Sequence, residues 1–257
     1  MSIELGASGK SSGCRECNVP VRCKIPDGTF QRPGPWELRA ELKHYLLRVH
    51  RLSPGDAVNA FDGTGHECLA ELVSTPDGFA LQPVSVPKKG LTGVPITICY
   101  GLPKGDKLDR VTRQLTELGI GHLLLMECDR SVAKIHGPRA EKKRERLRRI
   151  ADEAARQSGR CDTLQISGPM SVRKAIESLN KTPCVVFDPT GVMGFKDLTW
   201  EGPVAAFVGP EGGFSQGELA ILRDADAAIV SLGGLVLRTE TAAPVAATLL
   251  LSKFGHF

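Results

Sequence analysis

Phe207-Val208-Gly209-Pro210-Glu211-Gly212-Gly213-Phe214-Ser215-Gln216-Gly217-Glu218 is the stretch on which the reading of this chain turns. The run leading into it, Pro203 to Val208, is short, rich in Val, Phe and Ala and closed by Gly and Pro, which predicts a buried strand. Ser215 and Glu218 stand at capping-box spacing: the hydroxyl accepts from a first-turn N–H while the carboxylate reaches back to the cap. Gly209 to Gly213 are therefore a tight loop between a strand end and a helix start, where glycine permits positive φ and close backbone approach to a ligand. A P-loop would need a Lys-Ser or Lys-Thr that is absent, and the Gly209-x-x-Gly212-Gly213 spacing is not the G-x-G-x-x-G of a dinucleotide site. On its own the loop reads equally as a ligand cradle or as an ordinary strand-to-helix turn.

A second motif follows: Ser231-Leu232-Gly233-Gly234-Leu235-Val236-Leu237-Arg238-Thr239-Glu240-Thr241-Ala242-Ala243. Ala227 to Leu232 predicts another buried strand, Gly233-Gly234 ends it, and Thr239 or Thr241 is placed to cap a last helix running to about Ser252. Pro244 is expected in that helix's first turn, where a missing N–H costs little. Two glycine-rich strand ends, each followed by a capped helix, make a pocket walled by backbone groups and suited to an adenosine or a similar flat heterocycle.

These two motifs, with Glu153-Ala154-Ala155-Arg156-Gln157-Ser158-Gly159-Arg160 upstream, resemble the RsmE-type 16S ribosomal RNA (uracil-N3)-methyltransferases of the SPOUT class. Gly101-Leu102-Pro103-Lys104-Gly105-Asp106-Lys107 and Gln114-Leu115-Thr116-Glu117-Leu118-Gly119 match the family's first catalytic segment, and residues 44–56 and 61–65 match its small RNA-binding domain. The resemblance covers Val21 to the C-terminus and implies an α/β fold: a SPOUT-like, trefoil-knotted domain with a mostly parallel sheet, preceded by a PUA-like β-barrel domain. It implies S-adenosylmethionine (SAM) as cofactor, 16S rRNA in a small-subunit particle as partner, and a homodimer with its cofactor pockets near the subunit interface. It implies neither a DNA partner nor a metal. The cofactor residues it points to are Val208, Gly209, Pro210, Glu211, Gly212, Gly213, Leu232, Gly233, Leu237, Arg238, Thr239 and Thr241.

Length and composition set the frame. The chain has 257 residues, 41% apolar but only 5% aromatic, so its core is expected to be mainly aliphatic. The net charge of +4 is compatible with a nucleic-acid partner without requiring one. The longest apolar stretch, Ala242 to Leu251, is far short of the roughly 20 residues a spanning helix needs. No secretory signal pattern opens the chain, and its eight scattered cysteines read as reduced thiols of a cytoplasmic protein. Cys14-x-x-Cys17 with Cys23 lacks the second close pair of a zinc site, although His44 offers a possible fourth ligand.

Residues 1–20 read as a flexible extension. From 21 to 86, turns such as Ser53-Pro54-Gly55-Asp56 and Pro76-Asp77-Gly78 punctuate short apolar alternations, predicting the small β-domain, interrupted by a helix over Glu37 to Leu52. Pro87 to Gly93 reads as a linker. From 94 to 257, strand candidates Pro95–Tyr100, Ile120–Met126, Pro183–Asp188, Pro203–Val208 and Ala227–Leu232 alternate with helices Lys107–Leu118, Arg139–Gln157 and Val172–Leu179.

Methylating uracil N3 requires an exposed, unpaired base and loss of the imide proton. A cation that steadies the resulting anion lowers the barrier. Arg238 has planar donors suited to the carbonyls flanking N3, and equally suited to tying subunits or loops together. Glu211 is placed to accept a proton or to accept N–H bonds within its own loop. Arg22, Arg48, Arg51, Lys104, Arg110 and Arg160 are the expected RNA contacts, supplying salt-sensitive phosphate attraction. The same pocket also suits a related SPOUT enzyme acting on another RNA or base, or a non-catalytic RNA-binding assembly factor that keeps the fold.

Overall fold

The computed structural model describes residues 20–256, so Cys14 and Cys17 of the cysteine cluster lie outside the described residues. The chain builds two sheets. The first runs β1 (Val21–Lys24), β2 (Trp36–Glu37), β3 (Ala57–Phe61), β4 (His66–Thr75), β5 (Gly78–Pro83) and β6 (Lys88–Lys89), in the order β1-β3-β4-β5-β2 with β6 beside β4. Alternation does the sorting: Cys68, Ala70 and Leu72 of β4 point into a core shared with Val58, Ala60, Leu81 and Trp36. Cys23 is fully buried in that core, away from any ligand-accessible surface.

The expected helix over Glu37–Leu52 is shorter and broken. Trp36 and Glu37 pair with Leu81 and Ala80 as a strand, α1 spans Ala40–His44, and Tyr45–Val49 continue it as a π-helical turn. Its apolar residues still face inward: Leu46 is fully buried, with Leu38, Leu42 and Tyr45 packed beside it. The expected linker also differs, because Lys88 and Lys89 pair with Glu67 and His66, and Leu91 bridges to Arg160.

The second sheet comprises β7 (Val94–Gly101), β8 (Ile120–Glu127), β9 (Gln165–Ser171), β10 (Cys184–Phe187), β11 (Val204–Val208) and β12 (Ala228–Val230). Its order is β12-β10-β11-β7-β8-β9, and every pairing is parallel. Helices cover both faces, so the central strands read as unbroken apolar runs; all five residues of β11 are buried. Ile96, Ile98, Leu123, Leu125 and Ala206 face α2 (Lys107–Glu117), α3 (Pro138–Ser158) and a late helix, Thr239–Lys253. Cys99, Leu124, Met126, Ala205 and Phe207 face α4 (Val172–Ser178) and α5 (Gln216–Asp224). The late helix is α6.

Two details depart from expectation. Strand β9 has no counterpart among the five expected strands, because Gly168-Pro169 breaks its pattern; an edge strand tolerates such residues. At Gly168 (φ 84°) a Cβ would sit 2.3 Å from the carbonyl oxygen of Leu125, where the β8–β9 register shifts. Pro244 lies inside α6, beyond its first turn, so the carbonyl of Glu240 loses its helical N–H partner.

Candidate functional site

The sheet presents the C-terminal ends of β10, β11 and β12 to one cavity of about 580 Å3, on the side where ligands bind in open α/β sheets. The glycine-rich loop after β11 forms one wall, from Val208 through Phe214. Gly213 takes φ 68° and donates to the carbonyl of Pro210 at 2.9 Å, closing the turn in a conformation that other side chains resist. β7 touches this loop from below: a Cβ on Gly101 would lie 2.6 Å from the nitrogen of Pro210 and 3.0 Å from the carbonyl carbon of Gly209. Backbone here meets backbone, with no room for a side chain between the strand and the loop.

The loop is anchored at its far end by the expected capping box. Ser215 Oγ accepts from the Glu218 N–H at 3.2 Å, and Glu218 accepts from the Ser215 N–H at 2.8 Å. Buried Glu218 also accepts from the Asp129 N–H at 2.9 Å, and Ser215 donates to Asp129 at 2.5 Å. The segment after β8 is thereby fastened to the same cap, and Arg130 from that segment donates to the carbonyl of Gly212 at 3.0 Å.

The opposite wall runs from Ser231 to Thr239 and continues to Ala242. Thr239 does not cap α6 with its side chain; its hydroxyl donates to the carbonyl of Gly209 at 2.7 Å, joining the two walls directly. The N-cap position belongs to Arg238, whose side chain makes no capping bond and is exposed at the cavity rim. Phe187, which ends β10, and Asp188 and Thr190 just after it close the third side. Asp188 is buried and accepts from both the N–H and the hydroxyl of Thr190, at 2.9 and 2.6 Å.

The electrostatics centre on Lys107, at the first turn of α2. Its ammonium lies 3.0 Å from Glu211 and 3.2 Å from Glu240. The hydrogen bond to Glu211 and the ion pair with Glu240 push its pKa up. Glu211 also accepts from the Lys104 N–H at 3.1 Å. Burial pulls the Glu211 carboxyl up, but the bonds from Lys107 and from backbone N–H groups outweigh it and hold the group below the usual range. Glu240 is held down first by its own backbone N–H and then by Lys107. The contacts of Glu211 tie the glycine-rich loop to Lys104 and Lys107.

Of the expected cofactor residues, Val208 through Gly213, Leu232, Leu237, Arg238 and Thr239 line the cavity, whereas Gly233 and Thr241 do not. Sequence reasoning missed Lys107 as a site residue, along with Arg130 and the Asp188-Pro189-Thr190 turn. The signal for the last was available, since that turn directly follows an apolar run.

The expected RNA contacts divide. Arg48, Arg51, Lys104 and Arg110 are exposed. Arg160 is only 4% exposed and fully engaged: it forks onto Asp162 at 2.9 and 3.0 Å and donates to the carbonyls of Thr116 and Ile120, each at 2.9 Å. Arg22 pairs with Glu67 at 2.9 Å and reaches the Arg160 carbonyl at 3.1 Å and Cys161 at 3.3 Å, across the boundary between the two sheets. Both cations therefore spend their hydrogen bonds on partners within the chain. On α3, Lys143 and Arg146 pair with Asp109, and Arg144 and Arg148 pair with Glu141, so part of that helix's positive charge is neutralised locally.

Residues 92–251 match the family model of an RNA methyltransferase domain, and residues 38–82 that of an RNA methyltransferase PUA domain. The chain is 34% identical over 213 residues to the ribosomal RNA small subunit methyltransferase E of Mycobacterium bovis, covering 79% of this chain and 80% of that protein. The Bacillus subtilis protein of the same name is 29% identical over 225 residues, covering 80% of this chain and 86% of that one. In fold, the chain is similar to a ribosomal RNA small subunit methyltransferase E from Neisseria gonorrhoeae bound to S-adenosyl methionine. The TM-score is 0.80 at 23% identity, over 91% of this chain and 98% of that one.

Proposed function

Because the chain belongs to the RNA methyltransferase family, in its ribosomal RNA small subunit methyltransferase E group, we propose that it transfers a methyl group from SAM to N3 of one uridine in 16S ribosomal RNA. The observation that carries this is the cavity, walled by two glycine-rich segments that both lie inside the matched methyltransferase region.

The residues present fit SAM. Backbone groups of Gly209 to Gly213 offer polar edges, and Leu232, Leu237 and Ala242 offer an apolar face for a heterocycle. The lining carboxylate Glu211, with Glu240 also paired to Lys107, offsets that ammonium's charge toward a sulfonium. Bound there, SAM supplies a methyl group already activated by positive sulfur. The chain's own task is alignment and charge: a nucleophile held in line gains most of its rate from positioning. Arg238, exposed at the rim, steadies the negative charge that forms on the uracil when the N3 proton passes to solvent water, before the nitrogen takes the methyl group and the sulfur is left as the neutral thioether. Glu211, deprotonated and bonded to Lys104 and Lys107, holds the loop in shape.

The reading extends to a cytoplasmic homodimer with a knotted cofactor loop. Val192 (fully exposed), Met193, Leu235 (82%) and Val236 (80%) are exposed apolar residues beside the cavity, and an apolar patch at a site of this kind favours burial against a second copy. Exposed Arg48, Arg51, Lys104 and Arg110 would attract rRNA phosphates, and a small-subunit particle is the proposed substrate.

The test is methyl transfer from labelled SAM to small ribosomal subunits that lack native N3-methyluridine, with nuclease mapping of the product. A single N3-methyluridine, lost in an Arg238→Ala variant that still binds SAM, supports both the reaction and the role of Arg238. SAM binding with methylation of another base or RNA moves the assignment to a related enzyme, and absence of SAM binding leaves an RNA-binding factor.

A further inference from the structure

Three chain segments meet at one ammonium. Lys107 follows the loop after β7, Glu211 belongs to the glycine-rich loop after β11, and Glu240 sits in the first turn of α6, two residues beyond Arg238. Helix stability does not explain the cation. Lys107 opens α2, where the positive end of the helix dipole disfavours a lysine. Without it, Glu211 of the cavity wall and Glu240 beside that wall would both lose the cation they share, and like charges held at one site repel. Thr239 adds a neutral tie, donating to Gly209 at 2.7 Å, but it touches only the loop's first residue.

We propose that Lys107 is a positioning residue: by joining Glu211 to Glu240 it fixes the segment bearing Arg238 relative to the methyl-donor cradle. The inference rests on the proposed methyltransferase reading and assigns that site a part that no direct contact with the reacting atoms requires. Arg238 itself has no hydrogen-bonding side-chain partner among the described residues, so its placement depends on the backbone at 237–240. That backbone is tied down through Thr239 and through the Glu240 carboxylate.

The experiment is calorimetric titration of SAM into wild type, Lys107→Met, Lys107→Arg and Glu240→Gln. Turnover is measured alongside in Lys107→Met, Arg238→Ala and the double variant. Lys107→Met is expected to weaken SAM binding about tenfold, the size typical of a positional coupling, with Lys107→Arg restoring most of it. The turnover losses from Lys107→Met and Arg238→Ala are expected not to multiply, because once Lys107 is gone Arg238 is no longer held where it acts. Wild-type binding with unchanged binding in Lys107→Met, or with losses that multiply, overturns the inference and leaves the methyltransferase reading standing. Failure of wild type to bind SAM overturns that reading first. Should Lys107→Met fail to fold, Glu240→Gln removes the same link from the opposite end, and normal SAM affinity in that variant refutes the proposal.

Discussion

Replacing Arg160 with alanine separates two roles that the sequence alone leaves indistinguishable. The guanidinium is 4% exposed and makes four hydrogen bonds: two onto Asp162 and one each onto the carbonyls of Thr116 and Ile120. Asp162 in turn accepts from the Gly93 N–H with both oxygens, at 3.1 and 3.0 Å, so the pair fastens the segment that joins the two sheets. Breaking a buried ion pair by removing one partner costs about 3–5 kcal/mol. Asp162 keeps 22% of its side chain in contact with solvent, which favours the lower end of that range. About 3 kcal/mol lowers the melting temperature by roughly 6–12 °C in a protein of this size class. Lysine cannot fork onto a carboxylate, so Arg160→Lys should lose most of the same stability. The assay is calorimetric or near-ultraviolet melting, followed by RNA binding of the folded variants at two salt concentrations. Were Arg160 instead a phosphate contact, Arg160→Ala would melt within about 1 °C of wild type. It would also lower the salt slope of RNA binding by about one, and that pair of results would refute the structural role.

Gly101→Ala should abolish SAM binding while the purified protein stays folded, since the new Cβ would collide with Gly209 and Pro210 at 2.6–3.0 Å and push the cofactor loop; normal affinity in calorimetry would show that the loop can yield. The acid stability of the junction should depend on Glu67. Burial pulls its carboxyl up, but bonds from Arg22, Cys161 and Asn59 outweigh that and hold it below the usual value of 4.5. A depressed folded-state pKa contributes stability that is full above the unfolded value and is lost as pH falls through the folded one. Wild type should therefore melt above Glu67→Gln at neutral pH, with the gap narrowing below about pH 4.5. A gap unchanged down to about pH 3 would be evidence against the Glu67 assignment.

How much was legible follows from where the signal resides. The glycine loop, its capping box and the strands around them are local patterns, and the structure repeats them within a residue or two, as in Val204–Val208 and Gln216–Asp224. Strand β9 was hidden because Gly168 and Pro169 are turn residues in isolation; only the neighbouring β8 makes them part of a sheet. Thr239 followed by an apolar helix reads as a cap, yet its hydroxyl finds the Gly209 carbonyl, a partner 30 positions away in sequence. Lys107 closes a segment that the resemblance singles out, yet nothing local in the pattern of Lys107 or Arg130 names their partners, which arrive from loops about a hundred and 82 residues distant. Arg160 looked like the exposed arginines until burial and four partners set it apart. Charge pattern identifies cations but does not tell which of them the fold consumes.

The segment from Ser231 to Leu251 supplies both the last wall of the cavity and, through Ala243, Ala246, Ala247, Leu250 and Leu251, the middle of the larger core. Synthesis runs from the amino end, so β7 and β8 emerge early, while β11, which pairs along the free edge of β7, and α6, which covers that part of the sheet, come late. Until then Ile96, Ile98 and Tyr100 belong to an unfinished sheet with an open edge, a condition that favours aggregation. On the proposed reading of this cavity as the SAM site, binding competence doubles as a completion signal: a chain that stops before Ser231 lacks one wall, and a ligand that binds only the native state would stabilise only finished molecules.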